Sequence, residues 1–351
     1  MDAPEAMATR LGSDKISVEK VDGTNAEDLK RLLKGADLVV SSMPWQLNKK
    51  ALEVAAPMGV NYLDFSMTVD SMEAFGRATK MCKDHGITAV TAVGEDPGMS
   101  DVLAVHNAGK FDKATWARVM DGDSGSAEGF EFFSLWSPVD LLEETTVPAA
   151  VFRDGKMTFV PPLQEREIYE FPEPVGPLPV YKTNHEETYL MPMFIKGLRN
   201  ADFRIAIDDN FAKTATMLRK MGLHSLTPVD VKGVKVKPLD VVVALMPRPV
   251  DLAGKVKGHA CVVVEVHGEK DGKKATARSW VSMSHEKAFE MCRSNATGYL
   301  VGIGGAIGAE MIISGEVRQK GLLAPEQLPA ENFIKRMRAK GLDVHEELKW
   351  S

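Results

Sequence analysis

The chain has 351 residues, of which 44% are hydrophobic and 26% are charged, and its formal net charge is −6. A chain of this length is expected to form two domains, or one large domain with a substantial core. Its acidic balance argues against nucleic acid or a membrane surface as a partner. The three cysteines match no zinc or disulfide spacing, and we find no continuous apolar run of membrane-spanning length and no signal peptide. We therefore expect a cytoplasmic protein that does not span a membrane.

Helices and strands are predicted to alternate along the first part of the chain. After a first helix over 2–11, we predict strands over 15–21, 36–44, 60–66 and 86–91. The predicted helices between and after these strands cover 26–33, 47–58, 71–85 and 99–108. Strands that alternate with helices of about ten residues indicate right-handed βαβ units. The predicted fold class is therefore α/β, with a doubly wound parallel sheet.

Polar residues follow four successive predicted strands. They are Asp22, Ser41, Ser42, Asp64, Ser66, Glu95 and Asp96. Because the carboxyl ends of parallel strands lie along one edge of a sheet, these side chains could line a single crevice. The plainer interpretation is that strand ends are solvated and need turn-forming residues.

The segment Glu95-Asp96-Pro97-Gly98 joins a predicted strand to a predicted helix. Pro97 fixes its own φ and disfavours a helical Asp96, whereas Gly98 tolerates almost any backbone angle. We therefore predict a sharp turn that holds two carboxylates at the edge of the sheet where ligands bind. The alternatives are an acidic surface turn without a function, or an Asp96 that only caps the following helix.

A dinucleotide-binding domain normally opens with a strand, a Gly-x-Gly-x-x-Gly turn and a helix. No such fingerprint precedes residue 15, so the first βαβ segment of such a domain is expected to be missing from the chain as written. The glycine-rich stretch that remains is 302–308. No strand leads into it, and residues 296–314 are predicted to form one helix. We therefore interpret its glycines as sites of close helix packing rather than as a phosphate loop.

From Thr115 onward the pattern predicts antiparallel strands and a second, α+β domain. Hairpins are predicted over 147–160, with a turn at Asp154-Gly155, and over 260–283, with a turn at Asp271-Gly272. The other predicted elements are a strand at 117–120, a polar loop at 121–126, an irregular segment at 161–185, a strand at 203–207 and a helix at 211–221. We predict domains over 1–112 and 113–295, with residues 296–351 returning to the first domain or to the domain junction.

Histidine and cysteine spacings do not indicate a metal centre. The eight histidines are scattered, without a His-x-x-x-His or similar pattern. The sequence also lacks a Gly-x-Ser-x-Gly nucleophile turn and a phosphate-binding P-loop. We therefore predict that the protein has no metal site.

Seven segments carry a resemblance to a known family. They are Ala36–Pro44 (ADLVVSSMP), Gly94–Ser100 (GEDPGMS), Val236–Val241 (VKPLDV), Asp251–Gly254 (DLAG), Asp271–Lys274 (DGKK), Ala296–Tyr299 (ATGY) and Gly321–Glu326 (GLLAPE). In this order, and over nearly the whole chain, they resemble the saccharopine dehydrogenase-like family, most closely its shorter lysine 6-dehydrogenase-type members. The resemblance implies a Rossmann-like domain with an α+β catalytic and dimerisation domain inserted into it, and a homodimer.

The same resemblance implies NAD(P)-dependent oxidation of a C–N bond in an amino acid or its adduct, with NAD or NADP as cofactor. In saccharopine-reducing relatives the acid of the Asp-Pro-Gly turn lies at the substrate, which corresponds to Asp96. The serine at the preceding strand end corresponds to Ser66, and a position after the first catalytic-domain strand corresponds to Asp121. Asp121 replaces the residue of those relatives, and lysine 6-dehydrogenase-like sequences lack an acid at position 96.

Residue chemistry also suggests a mechanism. Hydride leaves an amine carbon only if its nitrogen is unprotonated, so a carboxylate or an imidazole must take the ammonium proton. Asp96 or His185 could take that proton, and Asp121 or Glu186 could hold a cationic substrate nitrogen. Water would then hydrolyse the imine. The candidate cofactor-binding residues are Asp22, Ser42, Met43, Pro44, Ser66 and Gly94.

Some of these residues also have plainer interpretations. Asp22 could be only a turn or capping residue, and His185 could be only a solvated loop residue. Two functions remain as alternatives to a lysine-like amine dehydrogenase. One is a catalytically inactive, cofactor-free remnant that acts as a dimeric binding protein, and the other is a carboxynorspermidine- or saccharopine-reductase-type enzyme.

Overall fold

The computed structural model describes residues 3–68 and 71–350. Asp2, the predicted start of the first helix, lies outside these residues. Helices and strands alternate from residue 26 onward, as the sequence predicts. The elements of this part are α1 (Ala3–Leu11), α2 (Ala26–Leu33), β1 (Leu38–Ser41), α3 (Trp45–Ala55), β2 (Asn61–Asp64), α4 (Met72–Asp84), β3 (Thr88–Val90) and α5 (Met99–Ala108).

Helix α4 shows how local sequence fixes these elements. The Ser71 side chain accepts a hydrogen bond from the Ala74 N–H at 3.2 Å, which satisfies a free donor of the first turn. Phe75, Ala78 and Cys82 recur at helical spacing and are buried. Capping and one apolar face therefore give the predicted helix.

The rest of the chain adds fourteen strands, seven helices and two of the three short 3-10 helices among the described residues. In chain order these elements are β4 (Lys113–Asp123), β5 (Ser126–Ala127), α6 (Pro138–Glu144), β6 (Ala149–Arg153), β7 (Lys156–Val160), β8 (Glu167–Glu170), β9 (Pro177–Lys182), α7 (Glu187–Phe194), β10 (Asn200–Ala206), α8 (Asp209–Lys220), β11 (Val229–Val231), β12 (Val234–Val236), α9 (Pro238–Leu245), β13 (Val256–Lys257), β14 (His259–Lys270), β15 (Lys273–Ser284), α10 (His285–Cys292), α11 (Ala296–Ile313), β16 (Gly321–Leu323), α12 (Ala330–Ala339) and β17 (His345–Trp350). The 3-10 helices are Ala56–Met58, Pro249–Leu252 and Pro325–Gln327.

A four-stranded parallel sheet in the order β1-β2-β3-β16 forms the first layer. The predicted parallel sheet is thereby confirmed. Strand β16 is not predicted, because three residues carry too little pattern and their partner, β3, lies far away in the sequence. It places the 3-10 helix Pro325–Gln327 at the same edge of the sheet as the ends of β1, β2 and β3.

A nine-stranded mixed sheet forms the second layer. Its main path runs β17-β15-β14-β4-β10-β6-β7, and β8 and β9 extend it from β10. The β4–β10 pair is parallel, and its other pairs are antiparallel. Both predicted hairpins, β6–β7 and β14–β15, are present. The α+β character is confirmed, whereas the predicted domain boundaries stay predictions.

The strand predicted over 15–21 is wrong. This segment forms no strand, and the side chains of Ile16 and Val18 are 41% and 43% exposed. Alternation of apolar and polar residues gives a strand only where a neighbouring strand supplies hydrogen bonds. No described strand pairs with this segment, so the pattern has no partner.

Two predicted irregular segments are also wrong in part. Asp121 and Asp123 belong to β4, because their backbones pair with Val262 and Ala260 of β14. The proline-rich segment 161–185 contains β8 and β9, and β9 pairs with β10. In both places, pairing with distant strands outweighs the local preference of Asp, Gly and Pro for turns.

The glycines of α11 are packing sites, as predicted. A Cβ on Gly304 would lie 2.1 Å from the carbonyl oxygen of Gly94, and a Cβ on Gly305 would lie 2.2 Å from the ring of Phe65. Without side chains at these positions, α11 rests directly on the strand ends. This contact ties the C-terminal part of the chain to the turn that carries Glu95 and Asp96.

Helix α11 is also long and apolar enough to cross a membrane, judged by length and composition alone. It has 18 residues and a mean hydropathy of 1.4, and half of it is buried. The sequence nevertheless contains no continuous apolar run of that length, because Thr297 and Glu310 lie within this helix. Its packing against both sheets is that of a core helix.

Candidate active site

The turn between β3 and α5 is as sharp as predicted. The Gly94 N–H donates to the Pro97 carbonyl at 2.7 Å, and the Asp96–Pro97 peptide bond is cis. Gly98 has a φ of 132°, and a Cβ there would lie 2.3 Å from the Gly94 nitrogen, so only glycine fits. The Gly98 N–H donates to Asp101 Oδ2 at 2.8 Å and starts α5. Asp96 accepts no hydrogen bond from a described residue, so it does not cap the helix.

Four carboxylates gather at this turn: Glu95 and Asp96 in the turn itself, Asp121 near the end of β4, and Glu144 at the end of α6. None of them forms an ion pair or a hydrogen bond with another described residue. Burial and the nearby charges of Asp121, Glu95 and Glu144 raise the pKa of Asp96 well above its ordinary range. The four carboxyls therefore lie together without an ion-pair partner among the described residues, although the nearby charge of His185 acts on Asp121 and Glu144.

The carboxyls contributed by the second sheet and α6 show the same effect. Burial, and then the charge of Asp123, raise the pKa of Asp121 to about 7, although His185 acts in the opposite direction. Burial raises the pKa of Glu144 to about 8, again against the effect of His185. Both side chains would ionise more readily beside a bound cation.

Glu95 is the most enclosed of the four carboxylates. Its side chain is 1% exposed, and its Oε1 atom is buried without a hydrogen-bond partner among the described residues. Burial and the charges of Asp121 and Asp123 raise its pKa well above the ordinary range. A buried, unpartnered carboxylate oxygen is unusual in a native protein and indicates a place for a ligand group.

His185 lies among these carboxylates rather than in solvent, so the interpretation of a solvated loop residue is wrong. Its ring stacks on that of Phe203, with centroids 3.8 Å apart and planes 9° apart. Its Nδ1 atom contacts Glu187. Burial lowers the pKa of His185, but the charges of Glu187, Glu186 and Glu144 outweigh burial and raise it to about 10. The imidazolium is therefore the resting form at neutral pH.

Glu186, the other predicted ligand of a cationic nitrogen, is partly exposed and accepts a hydrogen bond from the Met67 N–H at 3.3 Å. It thereby joins α7 to the segment after β2. Its carboxylate lies 3.8 Å from His185 Nδ1. The structure thus brings together all four predicted catalytic residues, Asp96, Asp121, His185 and Glu186, while their roles stay predictions.

Four acidic residues near this group were not identified from the sequence: Asp101, Glu144, Glu187 and Glu326. Burial and the charge of Glu326 raise the pKa of Asp101 well above its ordinary range, and burial raises that of Glu326 to about 7. Glu326 follows β16, so a strand-end pattern could have found it only if β16 had been predicted. Glu187 adjoins His185 and Glu186 in sequence, whereas no sequence pattern indicates a role for Glu144.

Asp123 is held by a buried histidine. His285 accepts the Ala296 N–H at Nδ1, 3.1 Å away, so Nε2 carries the proton that it donates to Asp123 Oδ1 at 3.0 Å. This contact fixes Asp123 beside Asp121 at the end of β4. Asp123 therefore has a hydrogen-bond partner, unlike the four unpaired carboxylates.

The predicted cofactor residues lie along the edge of the parallel sheet. Ser42, Met43 and Pro44 link β1 to α3, whose first turn has no side-chain cap, although the Leu47 N–H donates to the Pro44 carbonyl at 2.8 Å. The side chain of Ser66 accepts or donates no hydrogen bond among the described residues, although its carbonyl accepts one from Thr91 at 3.1 Å. These residues fit the edge of a dinucleotide at the strand ends, and their roles stay predictions.

Two further candidates are engaged in turns. Asp22 Oδ1 accepts hydrogen bonds from the N–H and the hydroxyl of Thr24, at 2.9 and 2.7 Å, so Asp22 forms the turn before α2. Its neighbour Gly23 packs against Met43 Sδ, which places this turn beside the end of β1. Gly94 uses its backbone in the turn before α5 and lies under α11.

Asp64, the acid at the end of β2, has a structural task. Its oxygens accept hydrogen bonds from the Ala92 N–H at 2.9 Å and from the hydroxyls of Thr91 and Tyr62 at 2.8 Å, and it also contacts Thr68. Burial still raises its pKa to about 6. The network fixes the ends of β2 and β3 relative to each other.

An apolar cavity of about 400 Å³ lies beside the segment that carries His185 and Glu186. Asn184, the neighbour of His185, and Met67, whose N–H donates to Glu186, are among its lining residues. Its remaining lining residues are Ser71, Met72, Phe75, Phe159, Tyr189, Leu190 and Met193.

A metal-like grouping is present in the described residues. One ligand atom each of His185, Glu186 and Glu187 lies within 4.8 Å of the others. The Nδ1 atom of His185 is already occupied by Glu187, so the arrangement is an ion-paired cluster. The sequence-based prediction of no metal site stays a prediction.

Two family models match the chain in succession. The saccharopine dehydrogenase NADP binding domain matches residues 2–90, and the saccharopine dehydrogenase C-terminal domain matches residues 94–342. The chain belongs to the saccharopine dehydrogenase family. The predicted resemblance is confirmed at the level of the family.

Relatives of this saccharopine dehydrogenase-family chain cover most of its length. Carboxynorspermidine synthase of Vibrio cholerae is 29% identical over 344 residues, which are 94% of this chain and 82% of the relative. Carboxyaminopropylagmatine dehydrogenase of Synechocystis is 25% identical over 352 residues, which are 97% and 88% of the two chains. Apo saccharopine dehydrogenase (L-Glu forming) from Saccharomyces cerevisiae shares the fold, with a TM-score of 0.72, 19% identity and coverage of 98% and 91%.

The comparisons confirm the predicted function at the level of the family. This member of the saccharopine dehydrogenase family is an NAD(P)-dependent oxidoreductase that acts on carbon–nitrogen bonds. The α/β fold with a parallel sheet and a second, mixed sheet is confirmed as well.

Proposed function

We propose that this enzyme acts on a secondary amine that joins an amino-acid part to an amine with at least one further positive charge. The observation that carries the proposal is the group of unpaired carboxylates Glu95, Asp96, Asp121 and Glu144. Burial of such groups disfavours their charged form. A cationic ligand offsets this effect because it favours the ionised carboxylates.

The two curated relatives agree with this charge requirement. Their names contain norspermidine and agmatine, which are compounds with several basic nitrogen atoms that carry positive charge at neutral pH. The proposal favours the reductase-type alternative over an enzyme for lysine alone. It extends the substrate class of the relatives to this chain on the basis of the acidic site.

Residue roles follow from the positions of the side chains. Asp121 and Glu144 hold the additional ammonium group, and the buried carboxylate of Glu95 adds to the negative charge around it. Asp96, in the turn between β3 and α5, and His185, between β9 and α7, exchange the proton of the reacting nitrogen. Ser42, Met43, Pro44 and Ser66 would hold the NAD(P) cofactor, which would supply or accept the hydride.

The reaction is then reversible oxidation of one C–N bond. In the oxidative direction the carbon loses a hydride and the nitrogen loses a proton, which leaves an imine. Water adds to the imine, and the bond breaks to release a carbonyl compound and an amine. The reverse sequence joins the two.

The test compares three adducts and lysine as substrates with NAD and with NADP. Carboxynorspermidine, carboxyaminopropylagmatine, saccharopine and lysine are supplied separately, and reduction of the nicotinamide is followed by absorbance. We expect kcat/KM for one of the first two to exceed that for lysine at least about tenfold, a difference of about 1.4 kcal/mol. A preference for lysine would contradict the proposal.

Fluorescence titration that shows no binding of NADH or NADPH would instead support a cofactor-free binding protein.

We also infer a homodimer in the cytoplasm. Support for the dimer comes from apolar side chains at the surface near β12 and α9, where Val234, Leu245 and Val250 are 62%, 82% and 66% exposed. Support for a reducing compartment comes from the three free cysteines. Sedimentation at several concentrations tests the oligomeric state, and a purely monomeric species would contradict it.

A further inference from the structure

We propose that Glu187 is the positioning residue of His185 and that the Nε2 atom of His185 exchanges the proton with the substrate nitrogen. The inference rests on the proposed function, since it names the group that serves the reacting nitrogen. It separates the proton chemistry from cation binding, which belongs to Glu95, Asp121 and Glu144.

Glu187 is held at both carboxylate oxygens. It is fully buried in the first turn of α7, where Oε1 accepts the Ser100 hydroxyl at 2.7 Å and Oε2 contacts His185 Nδ1. Ser100 is itself fixed, because it is buried in α5 and its N–H donates to the Glu95 carbonyl at 3.0 Å. Because both of its oxygens are bound, the Glu187 carboxylate cannot rotate freely. It therefore holds the imidazole of His185 in one orientation.

The ring of His185 is held from a second side by Phe203. The two rings stack with centroids 3.8 Å apart, and Phe203 is 1% exposed within the core. With Nδ1 on Glu187 and one face on Phe203, the ring keeps Nε2 as its free nitrogen. No residue of the described ranges forms a hydrogen bond with Nε2, so a substrate atom can reach it.

The contact at Nδ1 determines which nitrogen reacts. A carboxylate keeps the proton on Nδ1, so the neutral ring carries its lone pair on Nε2. In the reductive direction Nε2–H of the imidazolium gives its proton to the substrate nitrogen while a hydride reaches the carbon. In the oxidative direction neutral Nε2 takes that proton. The imine, one hydride and one proton thereby balance the amine.

The charged groups around His185 come from several elements. Those that face the ring are Glu186 just before α7, Glu187 of α7, Glu144 of α6 and Asp121 of β4. Asp101 of α5 and Glu326 of the 3-10 helix adjoin Glu187. These carboxylates keep the empty site in the imidazolium form. A cationic substrate partly cancels their field, which favours release of the proton from Nε2 to the substrate nitrogen.

The test combines imidazole titration by NMR with steady-state kinetics. Glu187→Gln removes the charge but keeps a similar shape, Glu187→Asp restores the charge, and Ser100→Ala removes only the second anchor. Glu331→Gln is the matched control, because Glu331 contacts His106 Nδ1 at 2.8 Å at the surface, where its side chain is 81% exposed.

We expect Glu187→Gln to lower the pKa of His185 by about 1 or more and kcat by about a hundredfold, with KM changed less than about threefold. The alkaline loss of reductive activity should move to lower pH by the same amount. Ser100→Ala should change both quantities in the same direction but less, and Glu187→Asp should restore part of the loss. Glu331→Gln should leave kcat unchanged.

An unaltered pKa of His185 in folded Glu187→Gln, or an unaltered kcat, would overturn the inference. The kinetic arm uses whichever amine the wild-type enzyme oxidises. A failure of the proposed substrate class would therefore show as a different preferred amine, whereas a failure of this inference would show in the variants. If Glu187→Gln does not fold, Ser100→Ala provides both measurements.

Discussion

The imidazole of His185 lies flat on the phenyl ring of Phe203, with 3.8 Å between centroids and 9° between planes. Phe203 belongs to β10, which pairs with β4, the strand that carries Asp121. The ring that exchanges protons and a carboxylate that binds cations are therefore set by two neighbouring strands of one sheet. His185 itself lies in the segment between β9 and α7, so the stacking on Phe203 helps to hold its ring beside β10.

Removal of the stacked ring should slow the reaction. Phe203→Leu keeps an apolar side chain of moderate size, so we expect the protein to fold, but His185 loses the surface that orients it. We expect kcat to fall about tenfold with little change in KM, as measured by steady-state kinetics. An unchanged kcat together with a lower melting temperature would show that Phe203 acts only in the core.

Asp96 should affect turnover more than cofactor binding. It lies beside Asp121, Glu95 and Glu144 without a hydrogen bond from a described residue, so its carboxylate is free to act on the substrate. For Asp96→Asn we expect kcat to fall by about a hundredfold or more, the usual contribution of a general acid or base. The dissociation constant of NADPH, measured by fluorescence, should change less than about twofold. Equal activity in the variant would remove Asp96 from the catalytic group.

Glu144 should make the empty enzyme less stable as pH rises. Burial raises its pKa to about 8, above the value of 4.5 for a free side chain. Between these values the folded state holds a proton that the unfolded state releases, so stability falls as pH rises and stays lower above pH 8. Glu144→Gln has no such proton. Its melting temperature should exceed that of the wild type by about 2 °C or more above pH 8 and match it near pH 4.

A matched variant separates this effect from general surface charge. Glu331→Gln removes a carboxylate that is 81% exposed. Its melting temperature relative to the wild type should not depend on pH in the same way. A Glu144→Gln variant that is less stable than the wild type at high pH would show that Glu144 is compensated in the empty protein.

The glycines of α11 offer a test of the fold at the site. A Cβ on Gly304 would lie 2.1 Å from the Gly94 carbonyl oxygen, whereas a Cβ on Gly302 would meet nothing within 4 Å. We expect Gly304→Ala to destabilise the protein by about 1–3 kcal/mol and to lower activity, because it displaces the turn that carries Glu95 and Asp96. Gly302→Ala should be neutral or slightly stabilising, since alanine favours a helix. Chemical denaturation measures both, and equal effects of the two variants would contradict this packing.

Local sequence was sufficient for the parts of the fold that depend on nearby residues. The helix over Met99–Ala108 and the hairpin around Asp271-Gly272 have the predicted form, because capping, periodicity and turn chemistry act within a few residues. The strand-end rule placed Asp96 at the edge of the parallel sheet, and the family resemblance added Asp121, which the structure brings near Asp96. These residues could therefore be proposed before the structure.

The remainder depends on distant contacts. β16 joins β3 from the far end of the chain and brings Glu326 to the site, and Glu144 arrives on a separate helix. Segment 15–21 alternates like a strand but has no pairing partner among the described residues. No local pattern shows that Glu187 meets both Ser100 and His185, because that contact depends on how α5 and α7 pack. Tertiary packing decided each of these features.

The central claim is that the unpaired carboxylates select a substrate with an additional positive charge. The most direct measurement is the ratio of kcat/KM for a cationic adduct to that for its N-acetylated, uncharged analogue, in the wild type and in Asp121→Asn. We predict a ratio of at least about ten in the wild type and a smaller ratio in the variant, which keeps Glu144 and Glu95. Equal kcat/KM values for the two substrates in the wild type would contradict the account.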